Sequence, residues 1–332
     1  MRDSAAFRVG RLRIPLQPAL LALLAALYIV GLLINRSPTS PPLLSRFSTA
    51  ATRSITLSVS GRSVVLSKAG STWSLMLSGK LYPASSQRVA SLLASLARLR
   101  VSRVASTHRG DWPQFSLDAQ HAASLVVDES GGRRIQLFVG SEDSGGGMYA
   151  RLPGESRVLQ VSPSIAAQVV APPNYWSDLR ILPAGLTTAS LVAISVQASR
   201  FVVGGTSISE HYLLDAGVQG GQTQWVAGGR SVPALDQQKV LAMESELIGL
   251  SGDEFASGES EAEAGFARPT ATIVLSDESG QSMTLFVGNR SGSRFYVKRA
   301  DRPYVYLVNE YSLQRAIPTL ESLMAVRSRT TG

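Results

Sequence analysis

Two acidic pairs are the residues best placed for chemistry. Asp128-Glu129 open the run DESGGRRIQLFVG, which ends at Gly140, and Asp277-Glu278 open DESGQSMTLFVG, which ends at Gly288. Paired carboxylates are the usual equipment for acid–base hydrolysis. The setting of these two points elsewhere. Each pair enters a glycine-containing reversal between β-rich runs, where Asp and Ser are favoured because their side chains bond the local backbone. We read DESG as turn punctuation and LFVG as a core strand.

Other chemistry is sparse. His108, His121 and His211 are the only histidines, and no two have the close spacing of a helical metal pair. With no cysteine, thiol nucleophiles, disulfides and zinc-thiolate sites are excluded. There is no G-x-S-x-G elbow, S-x-x-K, Walker A or G-x-G-x-x-G run. Gly79-Lys80 lacks the upstream glycine of a phosphate loop, and Gly145–Gly147 reads as a flexible turn. The acidic stretch near Asp253 lacks the spacing of a calcium loop. Asn35-Arg36-Ser37 and Asn289-Arg290-Ser291 match the glycosylation triplet, which matters only in a eukaryotic secretory host. No catalytic, cofactor-binding or metal-binding residue is assigned, no cofactor is expected, and the chain is not expected to be an enzyme.

The elements around each DESG run recur in one order. In the first copy, Ile55–Ser60 and Val64–Ser67 form a hairpin about Gly61, and Trp73–Leu77 form a third strand. Pro83 and Ser85 open a helix whose stripe is Val89, Leu92, Leu93, Leu96 and Leu99. A polar, partly basic stretch with Arg98, Arg100, Arg103, His108, Arg109 and Asp111 follows. Four strands complete the copy: Ser124–Val127, the return through Ile135, Leu137 and Val139, then Met148–Leu152 and Arg157–Val161. Ser162 and Pro163 have the types for N-cap and N1 of a short helix through Val170.

The second copy repeats this plan. Leu191–Val196 and Arg200–Val203 open it, Trp225 replaces Trp73, and Pro233 and Asp236 start the helix. Val240, Met243, Glu244, Leu247 and Leu250 are the matching stripe, with Glu244 the one departure. Thr272–Leu275, Met283–Val287, Phe295–Lys298 and Tyr304–Val308 rebuild the four strands, and Asn309 takes the capping place of Ser162. Where the first copy is basic after its helix, the second carries Asp253, Glu254, Glu259, Glu261 and Glu263. These loops read as solvated faces or as docking surfaces of opposite sign.

The net charge of +8 divides unevenly: +4 lies in the first 36 residues. No basic run with interleaved aromatics occurs beyond them, so nucleic acid is not an expected partner. Ile14–Asn35 contains no charged side chain and is long enough, as a helix, to cross about 30 Å of hydrocarbon. Arg8, Arg11 and Arg13 precede it, which places the N-terminus in the cytoplasm and the bulk of the chain outside. A cleaved signal peptide and a buried core helix are the competing readings, and the first of these also exports the chain.

The expected fold is α+β: an N-terminal transmembrane helix followed by two tandem copies of an antiparallel-sheet-plus-helix repeat. The divisions are a cytoplasmic N-terminus at 1–13, a transmembrane signal anchor at 14–35 and a Pro/Ser-rich spacer at 36–53. The first repeat spans 54–178, the second 179–325, and a tail runs over 326–332. The combination of anchor, W-x-L strand, Pro-opened LLxxLxxL helix, strand ending in Val-Gly and strands of the Tyr149 and Tyr296 type resembles an uncharacterised bacterial DUF family. Its single-pass, tandem-repeat proteins are commonly encoded beside ABC transporters of the gliding-motility type. That resemblance implies a cytoplasmic (inner) membrane location and an accessory or interaction role beside an ABC permease and other envelope proteins. It carries no catalytic residues. A binding module for an envelope glycan or lipid is the alternative, resting on Trp112, Tyr175, Trp176 and Tyr212 as exposed aromatics.

Overall fold

The computed structural model describes residues 42–219, 222–228, 234–256, 258 and 261–325, with a short antiparallel pair at Arg8–Val9 and Leu12–Arg13. The apolar segment 14–35, the first part of the spacer, Pro233, Glu259 and the tail 326–332 lie outside these residues. Among the described residues no helix is long and apolar enough to cross a membrane. Two compact units form. The smaller comprises Ala94–Ala122 and Leu137–Ala166 with the described residues up to Thr49; the larger comprises Ala50–Leu93, Ala123–Gln136 and the chain from Ala167 onward.

In the first repeat, β1 (Thr52–Val59) and β2 (Arg62–Ala69) form the expected hairpin, with Ser60 and Gly61 both at positive φ in its two-residue turn. β3 (Thr72–Leu77) follows as expected, and the next strand, β4 (Lys80–Pro83), does not match the sequence reading. Pro83 ends that strand rather than starting a helix. Helix α1 (Ser86–Arg98) begins after it and is capped by Ser85, whose Oγ accepts the Arg88 N–H at 3.4 Å. All five stripe residues, Val89, Leu92, Leu93, Leu96 and Leu99, are buried. Each burial of this kind contributes about 1.5–3 kcal/mol.

The basic stretch after α1 is a strand, β5 (Arg100–Ser106), and not a loop. It pairs with β9 at an edge, where its arginines keep their charge in solvent. A 3-10 segment, Arg109–Phe115, leads to β6 (Ala123–Glu129), β7 (Arg134–Glu142), β8 (Met148–Arg151) and β9 (Val158–Ser162). Ile135, Leu137 and Val139 are the buried set of β7, as the alternation requires. Ser162 ends β9 instead of capping a helix, and the short α2 (Ala166–Val169) takes its cap from Ser164, whose Oγ accepts the Ala166 N–H at 3.2 Å. A second single turn, α3 (Pro173–Trp176), follows. Strands in the larger unit run β4-β3-β2-β1-β6, and those of the smaller unit run β7-β8-β9-β5.

The second repeat holds one eight-stranded antiparallel sheet. β10 (Leu191–Val203) and β11 (Thr206–Gln219) make its long hairpin, turned by Gly204 and Gly205 at positive φ. The sequence reading gives two short strands here, Leu191–Val196 and Arg200–Val203, and the alternation breaks between the buried Ala198 and Phe201. A register shift between Ala198 and Phe201 absorbs that interruption and keeps the strand continuous. β12 (Gln222–Ala227), α4 (Gln237–Ile248), β13 (Glu254–Phe255) and the short α5 (Glu261–Ala264) follow. β14 (Ala271–Asp277), β15 (Ser282–Ser291), β16 (Arg294–Arg299), β17 (Val305–Asn309) and α6 (Glu310–Ala316) complete it.

The sheet order is β12-β11-β10-β14-β15-β16-β17-β13. It matches β3-β2-β1-β6 and then β7-β8-β9-β5 strand for strand. Asp236 caps α4 by accepting the Gln238 N–H at 3.1 Å, and Asn309 caps α6 through the Ser312 N–H at 2.9 Å. Val240, Met243, Leu247 and Leu250 of the α4 stripe join Ile194, Leu275, Leu285, Leu313 and others in one buried cluster. Tyr82 of β4 joins the same cluster, its ring 4.7 Å from that of Phe255.

Candidate functional site

The DESG turns act as turns. Asp277 Oδ1 accepts from the Ser279 hydroxyl at 2.6 Å, the Ser279 N–H at 2.9 Å and the Gln281 N–H at 3.0 Å. The serine hydroxyl and these backbone bonds hold its carboxyl below the usual range. Asp128 accepts from the Ser54 hydroxyl at 2.9 Å, and Glu129 is buried against Arg133. Gly131, Gly132 and Gly280 supply the positive φ these reversals need.

The three histidines are scattered. His121 pairs with Asp118 at 2.8 Å, and that bond with the neighbouring backbone donors lowers the Asp118 carboxyl. His211 lies 3.5 Å from the Ser195 hydroxyl, and His108 is exposed. Among the described residues no group of three or more His, Asp or Glu is placed to hold a metal.

The aromatic candidates divide. Trp176 and Tyr212 are buried, so the expectation that they are exposed is corrected: Tyr212 donates to the Pro318 carbonyl at 2.8 Å, and Trp176 packs edge-on against Tyr175. Tyr175 and Trp112 are half-buried, and each carries an arginine on its ring. Arg88 lies 4.7 Å from the Tyr175 ring and borders a groove of about 660 Å3 with Tyr175, Asp178, Arg180, Ser251 and Asp253. One charge pair in that groove is closed: Arg180 grips Asp178 with two bonds, at 2.9 and 2.7 Å. A smaller cavity of about 200 Å3 nearby is floored by Arg299, which is 5% exposed. Each of its guanidinium nitrogens makes one bond, Nε and one Nη to Asp301 at 2.6 and 3.1 Å and the other Nη to the Ile181 carbonyl at 2.9 Å.

Unmatched charge lies in the smaller unit, on the face of β7 and β8 covered by the 3-10 segment. Phe138 and Arg151 are cross-strand partners there. The Arg151 guanidinium sits 3.9 Å from the Phe138 ring centre and 4.1 Å from that of Trp112. Trp112 is fixed by its indole N–H, which donates to the Ser156 carbonyl at 2.9 Å. Arg109 lies on the same indole at 5.7 Å, and Phe115 packs on Tyr149 at 4.6 Å. Arg151 Nε donates to the Leu117 carbonyl at 3.1 Å. Among the described residues no carboxylate pairs with Arg109 or Arg151. Burial and then the nearby Arg109 charge lower the Arg151 pKa.

The second repeat carries the same place with opposite chemistry. Phe286 and Lys298 are the cross-strand pair, and the covering segment is α5 with Phe266. Here Glu261 closes an ion pair with Lys298. In both repeats the last glycine of LFVG admits the covering backbone. A Cβ on Gly140 would fall 2.1 Å from the Phe115 carbonyl oxygen, and one on Gly288 would fall 1.9 Å from that of Ala264. Sequence reasoning named Arg109 and Trp112 but missed Arg151. The matching triplets Tyr149-Ala150-Arg151 and Tyr296-Val297-Lys298 were the available signal.

One further departure is Glu244 in the α4 stripe. It is fully buried, and neither carboxylate oxygen has a hydrogen-bond partner. Burial pushes its pKa up to about 7, with the Trp225 indole acting in the opposite direction without closing a full hydrogen bond.

Comparison with known proteins fits the duplicated plan. A family model described as a domain of unknown function, DUF4340, matches residues 73–219 and 225–327. No curated protein matches the chain. With most of its length inside these two adjacent segments, the chain belongs to the DUF4340 family.

Proposed function

We propose that the chain is a non-enzymatic, membrane-anchored extracytoplasmic subunit that assembles with an ABC-type transporter or another complex of the cell envelope. The observation that carries this reading is the uncharged segment Ile14–Asn35 with its upstream arginines, set ahead of a duplicated fold. The Arg180–Asp178 and Arg299–Asp301 pairs agree with it, since those polar groups serve the fold. Duplication followed by divergence of the two covering segments is what a scaffold gains when its copies meet different surfaces. Affinity isolation of the full-length chain from membranes in mild detergent tests the assembly. Transporter or envelope subunits are expected to co-purify in fixed ratio, and isolation of the chain alone contradicts the reading.

A second reading is favoured by one feature. The groove of about 660 Å3 presents Tyr175 with polar and charged neighbours, a lining suited to an envelope glycan. Retention of glycan on the purified chain, lost on Tyr175→Ala, would support it in place of the first.

A further inference from the structure

We infer that the Arg109–Trp112–Arg151 stack of the first repeat is a binding site for a carboxylate side chain of an acidic peptide segment on a partner protein. The argument starts from the internal comparison. Phe138 with Arg151 and Phe286 with Lys298 occupy the same register positions in the two repeats. A covering segment crosses each pair, and each leans on the glycine that follows two residues after the phenylalanine. In the second repeat the cover brings its own carboxylate, Glu261, to the cation. In the first repeat the cover brings a second cation, Arg109, and Trp112. The place is therefore the same, and among the described residues the anion is supplied from within one copy and not the other.

The chemistry of Arg151 defines what is missing. Its guanidinium is already engaged by the rings of Phe138 and Trp112, and Nε is spent on the Leu117 carbonyl. The in-plane Nη–H groups remain, and these match the two oxygens of a carboxylate. Partial burial without an anion raises the cost of the charge, and Arg109 adds repulsion. A bound carboxylate relieves both. Trp112 and Phe115 shape the surface beside it, as Ala262 and Phe266 do around Glu261. The inference does not depend on which complex the chain joins.

A synthetic peptide reproducing residues 259–266, titrated into the full-length chain, is the probe. Saturable binding is expected, with loss of binding when its glutamates are changed to glutamine. Arg151→Gln is expected to weaken binding at least about tenfold and Arg109→Gln about threefold, as for removal of charged partners at an interface. Arg109 is exposed, so its variant keeps the test open if Arg151→Gln disturbs the cover. Arg302→Gln, at a distinct exposed arginine, is expected to leave binding unchanged. Equal binding of the glutamine peptide, or unchanged binding by both Arg109→Gln and Arg151→Gln, overturns the proposal. So does preferential, Arg151-dependent binding of inorganic phosphate or of vesicles containing phosphatidylglycerol, which would assign the stack to phosphate.

Discussion

Gly140 gives up its side chain to the backbone of Phe115: a Cβ there would stand 2.1 Å from the Phe115 carbonyl oxygen. Gly288 stands in the same relation to Ala264, at 1.9 Å. The LFVG repeated in the sequence therefore records two things, an inward strand face and a seat for the segment that crosses it. Gly140→Ala and Gly288→Ala are each expected to cost about 1–3 kcal/mol, the range for overpacking at a rigid contact. Hydrogen exchange should show the loss concentrated in residues 109–117 or 261–266 respectively. Protection lost evenly along the chain would refute the seating role.

Glu244 sets a pH dependence whose sign is fixed by its burial. Its carboxyl titrates near 7 in the folded chain against an ordinary value of 4.5, so unfolding releases a proton between those values. The Glu244 contribution to stability is then greatest below about pH 4.5, falls as pH rises to about 7, and levels off above. Glu244→Leu restores the residue type of Leu93 in the first repeat. It should raise stability by about 2 kcal/mol at pH 8 and by less than about 1 kcal/mol at pH 5. Parallel stability curves for the two proteins across this range would contradict the assignment.

Arg299 ties the opening segment of the second repeat to the turn after β16 by bonding both the Ile181 carbonyl and Asp301. Arg299→Ala leaves the Ile181 carbonyl without its donor and should cost about 1–3 kcal/mol in denaturant unfolding. Asp301→Asn, at a largely exposed position, should cost under about 1 kcal/mol. The reverse order of effects would show that the clamp is misread.

Tyr82 belongs by sequence to the first repeat and by packing to the core that includes Phe255. Tyr82→Ala should cost about 3–5 kcal/mol, as for truncation of a buried aromatic. A near-UV dichroism change without loss of stability would argue against its place in that core.

Legibility in the sequence followed periodicity. The α1 stripe, the β6 to β9 order and the Asp236 and Asn309 caps were readable because burial and capping leave fixed spacings. β5 was not, because an edge strand with arginines in solvent shows no apolar alternation. β10 was read as two strands because a bulge breaks its period of two while the chain stays paired, and β11 was not assigned. Trp176 and Tyr212 looked exposed because aromatic residues carry no directional mark outside a clear period. Arg151 escaped notice since it gains meaning from Trp112 and Phe138, which only the folded chain brings to it.

We propose that the duplicated fold stands outside the cytoplasmic membrane while the N-terminus stays within. The chain has no cysteine, so a single introduced thiol reports its location without background. Ser130→Cys places it at the exposed first DESG turn. Spheroplasts treated with a membrane-impermeant maleimide should label this variant fully, with no further gain after permeabilisation. Labelling that appears only once the membrane is breached would contradict the account.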